Sequence, residues 1–161
     1  MQPVQISKLL AALDSHGVSF VVVGGVAAVM HGAPYTTFDL DIVHDRSDAN
    51  VARLLAALAE LDGRYRDPAG RVLRPSQEGL RGPGQHLLLT NLGPLDILGV
   101  MVGDRDFARL AHSATVVSLG SHQVHVISLQ DLIASKRELN RAKDLPVVAL
   151  LQAISRQNDD T

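Results

Sequence analysis

The sequence predicts an α/β (α+β) domain, a mixed β-sheet flanked by helices. Three observations carry this. A helical pattern gives way at Gly17 to a short β-branched run, Val18 to Val23. A second strand-like run, Phe38 to Val43, carries two acids and is followed by another helical pattern. After a stretch rich in glycine, proline and arginine, paired β-like runs return and the chain closes with two helical patterns.

From Val4 to His16, Ile6, Leu9, Leu10 and Leu13 recur at helical spacing, and Gly17 is placed to stop the helix. Val18-Ser19-Phe20-Val21-Val22-Val23 reads as a strand buried on both faces. Gly24-Gly25 ends it, and Val26 to His31 spans about two helical turns before Gly32 and Pro34. The strand Phe38 to Val43 follows. Ser47 is the expected N-cap of a helix to about Leu61, with Val51, Leu54, Leu55, Leu58 and Leu61 on one face.

Residues 64–85 read as irregular, with Arg71 to Leu73 as a short strand inside them. Arg64, Arg66, Arg71, Arg74 and Arg81 make this loop locally positive, which suits either a solvated loop or a phosphate-contacting one. His86 to Thr90 and Leu95 to Val102 form a hairpin around Asn91-Leu92-Gly93-Pro94. A short helix is expected over 104–112, then a second hairpin turning at Leu119-Gly120-Ser121-His122. Ser128-Leu129-Gln130-Asp131 has capping-box spacing, with Asp in place of Glu, and opens a helix to about Leu139. A last helix, from about Lys143 to Ser155, places Leu145, Val148, Ala149 and Ala153 on one face. The expected organisation is one domain over 1–161, with the C-terminal helices of 128–156 packed on it.

Composition limits the function classes. A chain of 161 residues with 46% hydrophobic content and net charge −2 is neither a disordered tail nor a basic nucleic-acid module. It has no cysteine, so disulfides and thiolate metal sites are excluded. Its apolar runs are far shorter than a membrane span, and the first residues lack a signal-peptide pattern, so the expected location is cytoplasmic. The histidines form no helical two-histidine motif.

The chemistry concentrates in residues 20–43. Asp39 and Asp41, at i and i+2 of a strand, point to one face with Cα atoms about 6.5 to 7 Å apart. They repel each other unless a cation or basic group lies between them, and oxygen ligands on one face are what magnesium requires. As a solvent-facing edge pair they need no ion. Asp96, in the apolar run Leu95-Asp96-Ile97-Leu98, is the candidate third acid; the alternative is a turn carboxylate after Pro94. In such a site the third acid also serves as general base toward an attacking hydroxyl. Lys136 falls on the apolar face of its helix, either snorkelling at the core's edge or facing the acids and a triphosphate. Lys143 and Asp144 are expected to pair locally. A doubly wound dinucleotide fold fits less well, since the glycines after the first strand are two and lack the three-glycine spacing.

Val23-Gly24-Gly25, a spacer of thirteen residues and Asp39-Leu40-Asp41-Ile42 resemble the signature of the DNA polymerase β type nucleotidyltransferase superfamily. The C-terminal run, Ile127 to Lys136 followed by Arg141-Ala142-Lys143-Asp144, is similar to the small bacterial branch that includes nucleotidyltransferase toxins of toxin-antitoxin systems. The resemblance implies a nucleotidyltransferase-like mixed sheet. It also implies transfer of a nucleoside monophosphate from an NTP to a hydroxyl of RNA, protein or a small molecule. By the same resemblance Asp39, Asp41 and Asp96 bind Mg²⁺ and are catalytic, Gly24, Gly25, Thr37 and Lys136 bind the nucleotide, and an antitoxin is the implied partner. Gly25 stands where many members carry Ser, and Tyr35 where many carry Arg. The alternative is a catalytically inactive relative that binds nucleotide or a partner protein.

Overall fold

A computed structural model of the chain describes residues 4–34 and 36–160. Helix α1 (Ile6–Ser15) ends at Gly17, whose φ of 71° closes the helix and turns the chain into β1 (Phe20–Val23). All four residues of β1 are buried, as a β-branched strand at the centre of a covered sheet must be. Helix α2 (Gly24–Met30) follows directly, and β2 (Leu40–His44) returns antiparallel to β1. Helix α3 (Asp48–Glu60) is capped by Ser47, whose hydroxyl accepts from the Asn50 N–H, and it buries Val51, Leu54 and Leu58. Strand β3 (Arg64–Tyr65), helix α4 (Gln77–Arg81), β4 (Gln85–Thr90) and β5 (Gly93–Leu98) come next.

Beyond β5, a small two-stranded ribbon of β6 (Val100–Met101) and β7 (Arg105–Asp106) leads into α5 (Phe107–Ser113). The hairpin β8 (Thr115–Leu119) and β9 (His122–Val126) precedes α6 (Leu129–Leu139), a 3-10 turn over Ala142–Asp144, and α7 (Leu145–Asp159). The seven-stranded sheet has the order β3-β4-β5-β2-β1-β9-β8. It is mixed: β2 runs parallel to β5 and β1 to β9, while the other neighbours are antiparallel. Val21, Val22, Ile42, Val43, Leu95 and Ile97, on its central strands, are all fully buried. Each such side chain contributes about 1.5–3 kcal/mol relative to exposure.

Several expectations need correction. Strand β2 begins at Leu40, so Asp39 lies at its mouth and Phe38 is 72% exposed. Arg71 to Leu73 is not a strand; one backbone bond, Tyr65 N–H to Leu73 O at 2.8 Å, holds it beside β3. The irregular stretch instead contains β3 and α4. The first hairpin turns on Asn91-Leu92 alone, because Gly93 at φ 114° already pairs with Thr90. The run to Val102 breaks at Gly99, where a side chain would strike the backbone of Gly82 and Pro83. Helix α7 turns Val148, Leu151 and Ile154 inward, while Leu145, Ala149 and Ala153 are exposed. The stripe that packs inward is thus Val148, Leu151 and Ile154, rotated about the helix axis from the expected one.

Candidate functional site

The sheet's register assembles the acids. Asp41 of β2 lies opposite Val23 of β1 on one side and Asp96 of β5 on the other, and Asp96 lies opposite Leu87 of β4. Directly opposed residues share a face, so one row across four strands brings both carboxylates to the same side. Asp39, at the strand mouth two residues earlier, joins them. Each of Asp39, Asp41 and Asp96 offers an oxygen within 4.8 Å of the others.

Such a cluster is electrostatically costly by itself. Burial, then the charges of Asp39 and Asp96, push the Asp41 carboxyl up to about 8. Burial and a hydrogen bond with Asp39 push Asp96 up to about 6, against the opposing field of Arg66. Gly24 adds a steric requirement. It sits at φ 68°, and a Cβ there would run into Oδ2 of Asp41, so only glycine lets the β1–α2 turn pass this close to the acid. Asp39, Asp41 and Asp96 each bring a carboxylate oxygen within metal-bridging reach of the others and could together hold a hard divalent cation.

These residues line a cleft of about 600 Å³. Its sheet side comprises Val23, Gly24, Gly25, Asp39, Asp41, Asp96 and Gln85. Its other side is α6, which presents Leu132, Ser135, Lys136 and Leu139 at one-face spacing, with Arg141, Lys143 and Asp144 from the turn beyond. Val100, Met101 and Val102 form an apolar end. The ribbon that carries them is fastened to α6 by Arg105, which donates to Val102 O and Glu138 Oε1, each at 2.8 Å. The cleft therefore sets three carboxylates on one wall against Lys136, Arg141 and Lys143 on the other, with Asp144 lying among these cations.

The remaining expected residues fall as follows. Lys136 is largely buried, with Nζ 3.5 Å from Asp144 Oδ1. Asp144 pairs with Arg141 at 2.6 Å and not with the adjacent, exposed Lys143. Burial raises the Asp144 carboxyl, but Arg141 and Lys136 outweigh it and hold it below the usual carboxylate range. Thr37 is half-buried in the coil before β2 and is not among the residues lining the cleft. Tyr35 lies outside the described residues. The arginine-rich segment is mostly paired within itself, to α3 and to the turn that follows α3: Arg71 with Asp67, Arg81 with Asp48, and Arg64 and Arg74 with Asp62. Arg66 is different, because its guanidinium reaches Asp96. The sequence places Arg66 only among the five arginines of a loop suited to solvent or to phosphate, and carries no sign of its bond to Asp96.

No family model matches the chain, and no curated protein matches it in sequence. The fold is similar to the solved structure of a candidate nucleotidyltransferase from Thermotoga maritima, with 17% identity, a TM-score of 0.57 and coverage of 97% of this chain and 91% of that one. It is also similar to ANT(2")-Ia, solved in complex with adenylyl-2"-tobramycin, with 16% identity, a TM-score of 0.51 and 95% of each chain covered. At these identities the likeness is one of fold: the chain has a nucleotidyltransferase-like mixed sheet flanked by helices.

Proposed function

We propose that the protein, acting as a single domain, is a nucleotidyltransferase that moves a nucleoside monophosphate from an NTP to a hydroxyl acceptor. The observation that carries this reading is the convergence of Asp39, Asp41 and Asp96 within 4.8 Å, on a cleft whose opposite wall bears Lys136, Arg141 and Lys143. Bound at the three acids, Mg²⁺ supplies neutralisation of charge on the phosphate oxygens. The chain's residues do the rest. Lys136, Arg141 and Lys143 hold the triphosphate, and Gly24 and Gly25 leave room for it beside Asp41. Thr37 is assigned to the nucleotide on resemblance alone. Asp96 takes the proton of the acceptor hydroxyl as that oxygen bonds to the α-phosphorus. The bond from the α-phosphorus to the pyrophosphate oxygen breaks, and pyrophosphate leaves with the electron pair.

The acceptor is RNA, protein or a small molecule; the fold neighbour solved with an adenylylated aminoglycoside makes an antibiotic one member of the last group. The C-terminal resemblance suggests a cytoplasmic toxin-antitoxin setting, and recovery of the protein from its own cells in a stoichiometric complex with a second chain would support it; recovery as the free protein would count against it. The activity test is incubation of the purified protein with α-labelled NTPs and Mg²⁺, together with total RNA, cell protein and aminoglycosides. Label is expected on one acceptor class and lost in the Asp39→Ala, Asp41→Ala variant. Absence of label on every class overturns the reading in favour of an inactive, nucleotide-binding relative, which Gly25 in place of Ser favours.

A further inference from the structure

Arg66 stands at the end of the row that assembles the acids. Strand β3 pairs with β4 through Arg64 and Leu89 and through Tyr65 and Leu88, and the Arg66 N–H donates to Leu87 O at 3.1 Å. Leu87 is the residue opposite Asp96. The guanidinium therefore crosses over one strand and reaches the acid of the next, donating from Nη2 to Oδ1 of Asp96. The other arginines of the segment pair with carboxylates outside the cluster. The side chain of Arg66 is 28% exposed and that of Asp96 only 10%, so the pair is screened by water from one side only.

We propose that Arg66 is a positioning residue of the acid cluster, holding one oxygen of Asp96 so that the other serves the cation and the acceptor, and that its charge weakens cation binding there. The inference rests on the metal-dependent reading of the site. Its physical content is a trade-off. A guanidinium on Oδ1 occupies one lone pair of that oxygen and places a positive charge beside the site, which opposes a divalent ion. It also fixes the carboxylate plane, which a proton acceptor requires. Loss of Arg66 thus strengthens metal binding and weakens chemistry, whereas loss of a merely structural arginine weakens both.

The test is calorimetric titration of the full chain with Mn²⁺, without nucleotide, for wild type, Arg66→Gln and Arg66→Lys, with thermal midpoints recorded to establish folding. Arg66→Gln is expected to bind Mn²⁺ on the order of tenfold tighter, the effect of removing one nearby like charge in a partly screened setting. Arg66→Lys, which keeps the charge, is expected to bind close to wild type and controls for misfolding of the glutamine variant. Label transfer by Arg66→Gln is expected to fall. Mn²⁺ bound by wild type but unchanged or weaker in folded Arg66→Gln overturns the inference and leaves the metal-site reading standing. No Mn²⁺ uptake by any of the three overturns both. Uptake by Arg66→Gln alone supports the inference in its strongest form.

Discussion

At the scale of single residues, the acid cluster is where folding and function oppose each other. With the Asp41 carboxyl raised from 3.8 to about 8 chiefly by burial, the folded chain keeps a proton that the unfolded chain has released. The contribution of Asp41 to stability is therefore intact below pH 3.8 and is lost progressively as pH rises toward about 8. Asn is a neutral near-isostere of protonated Asp and carries no such penalty. Asp41→Asn is expected to be more stable than wild type by about 1–3 kcal/mol at pH 7 in metal-free buffer, with the gap closing near pH 4. Urea unfolding at the two pH values measures this; a variant no more stable than wild type at pH 7 contradicts it. The same substitution removes a proposed metal ligand, so stability and transfer activity should move in opposite directions.

At the scale of elements, β2 is anchored at its C-terminal end by two side-chain contacts of one histidine. His44, its last residue, is fully buried, with Nε2 2.6 Å from Leu80 O of α4 and Nδ1 3.2 Å from Leu98 O of β5. A neutral imidazole donates from one nitrogen only, and the shorter contact assigns that proton to Nε2. Burial lowers the affinity of the ring for a second proton more than the two carbonyls raise it. The unfolded chain thus binds the proton first as pH falls. Stability from His44 is present above 6.5, its ordinary value, and is lost as pH drops through the lower folded value. The expected slope is up to about 1.4 kcal/mol per pH unit for one proton. His44→Gln retains a donor for Leu80 O and should flatten the dependence of the thermal midpoint between pH 6.5 and 5. An unaltered slope would assign the acid sensitivity elsewhere, with His86, also lowered by burial, the first alternative.

The elements differ in how plainly the sequence announces them. Helix α3 is legible because Ser47 and the leucine stripe agree, and β1 because four β-branched or aromatic residues follow a glycine stop. Half of the expected capping box at α6 forms: Ser128 accepts from the Asp131 N–H, but the Asp131 side chain is too short to reach back and accepts instead from Ser113 Oγ. Strand β3 is hidden because two residues carry no period, and α4 because its five residues contain a glycine. Arg66 is hidden with them, since its role depends on an edge strand pairing with β4. The grouping of Asp39, Asp41 and Asp96 is legible as three acids in apolar surroundings. Its geometry depends on β2 and β5 being parallel neighbours, which no local pattern encodes.

At the scale of the whole molecule, the cleft joins segments far apart in the chain. One wall is built from residues 23–41 and 85–98, the other from residues 132–144. The segments behind the two walls are linked by His31 Nε2 and Ile127 O at 2.7 Å, and by the pairing of β1 with β9, which delivers the chain to α6. A cation on the acid wall and a polyanion on the basic wall would each neutralise charge that the other then meets across the cleft, so their binding should be coupled. Mg²⁺ with a non-hydrolysable NTP analogue is therefore expected to stabilise the fold more than the two added separately. At a hundredfold excess over Kd the stabilisation is about 2.7 kcal/mol, or about 5–10 °C in thermal midpoint for a chain of this size. Asp41→Asn should lose the joint shift through the metal, and Lys136→Gln through the triphosphate, so the two variants identify the wall on which each ligand rests. Shifts that merely add in wild type, or that survive intact in either variant, would mean that the two walls do not face one bound metal–nucleotide complex.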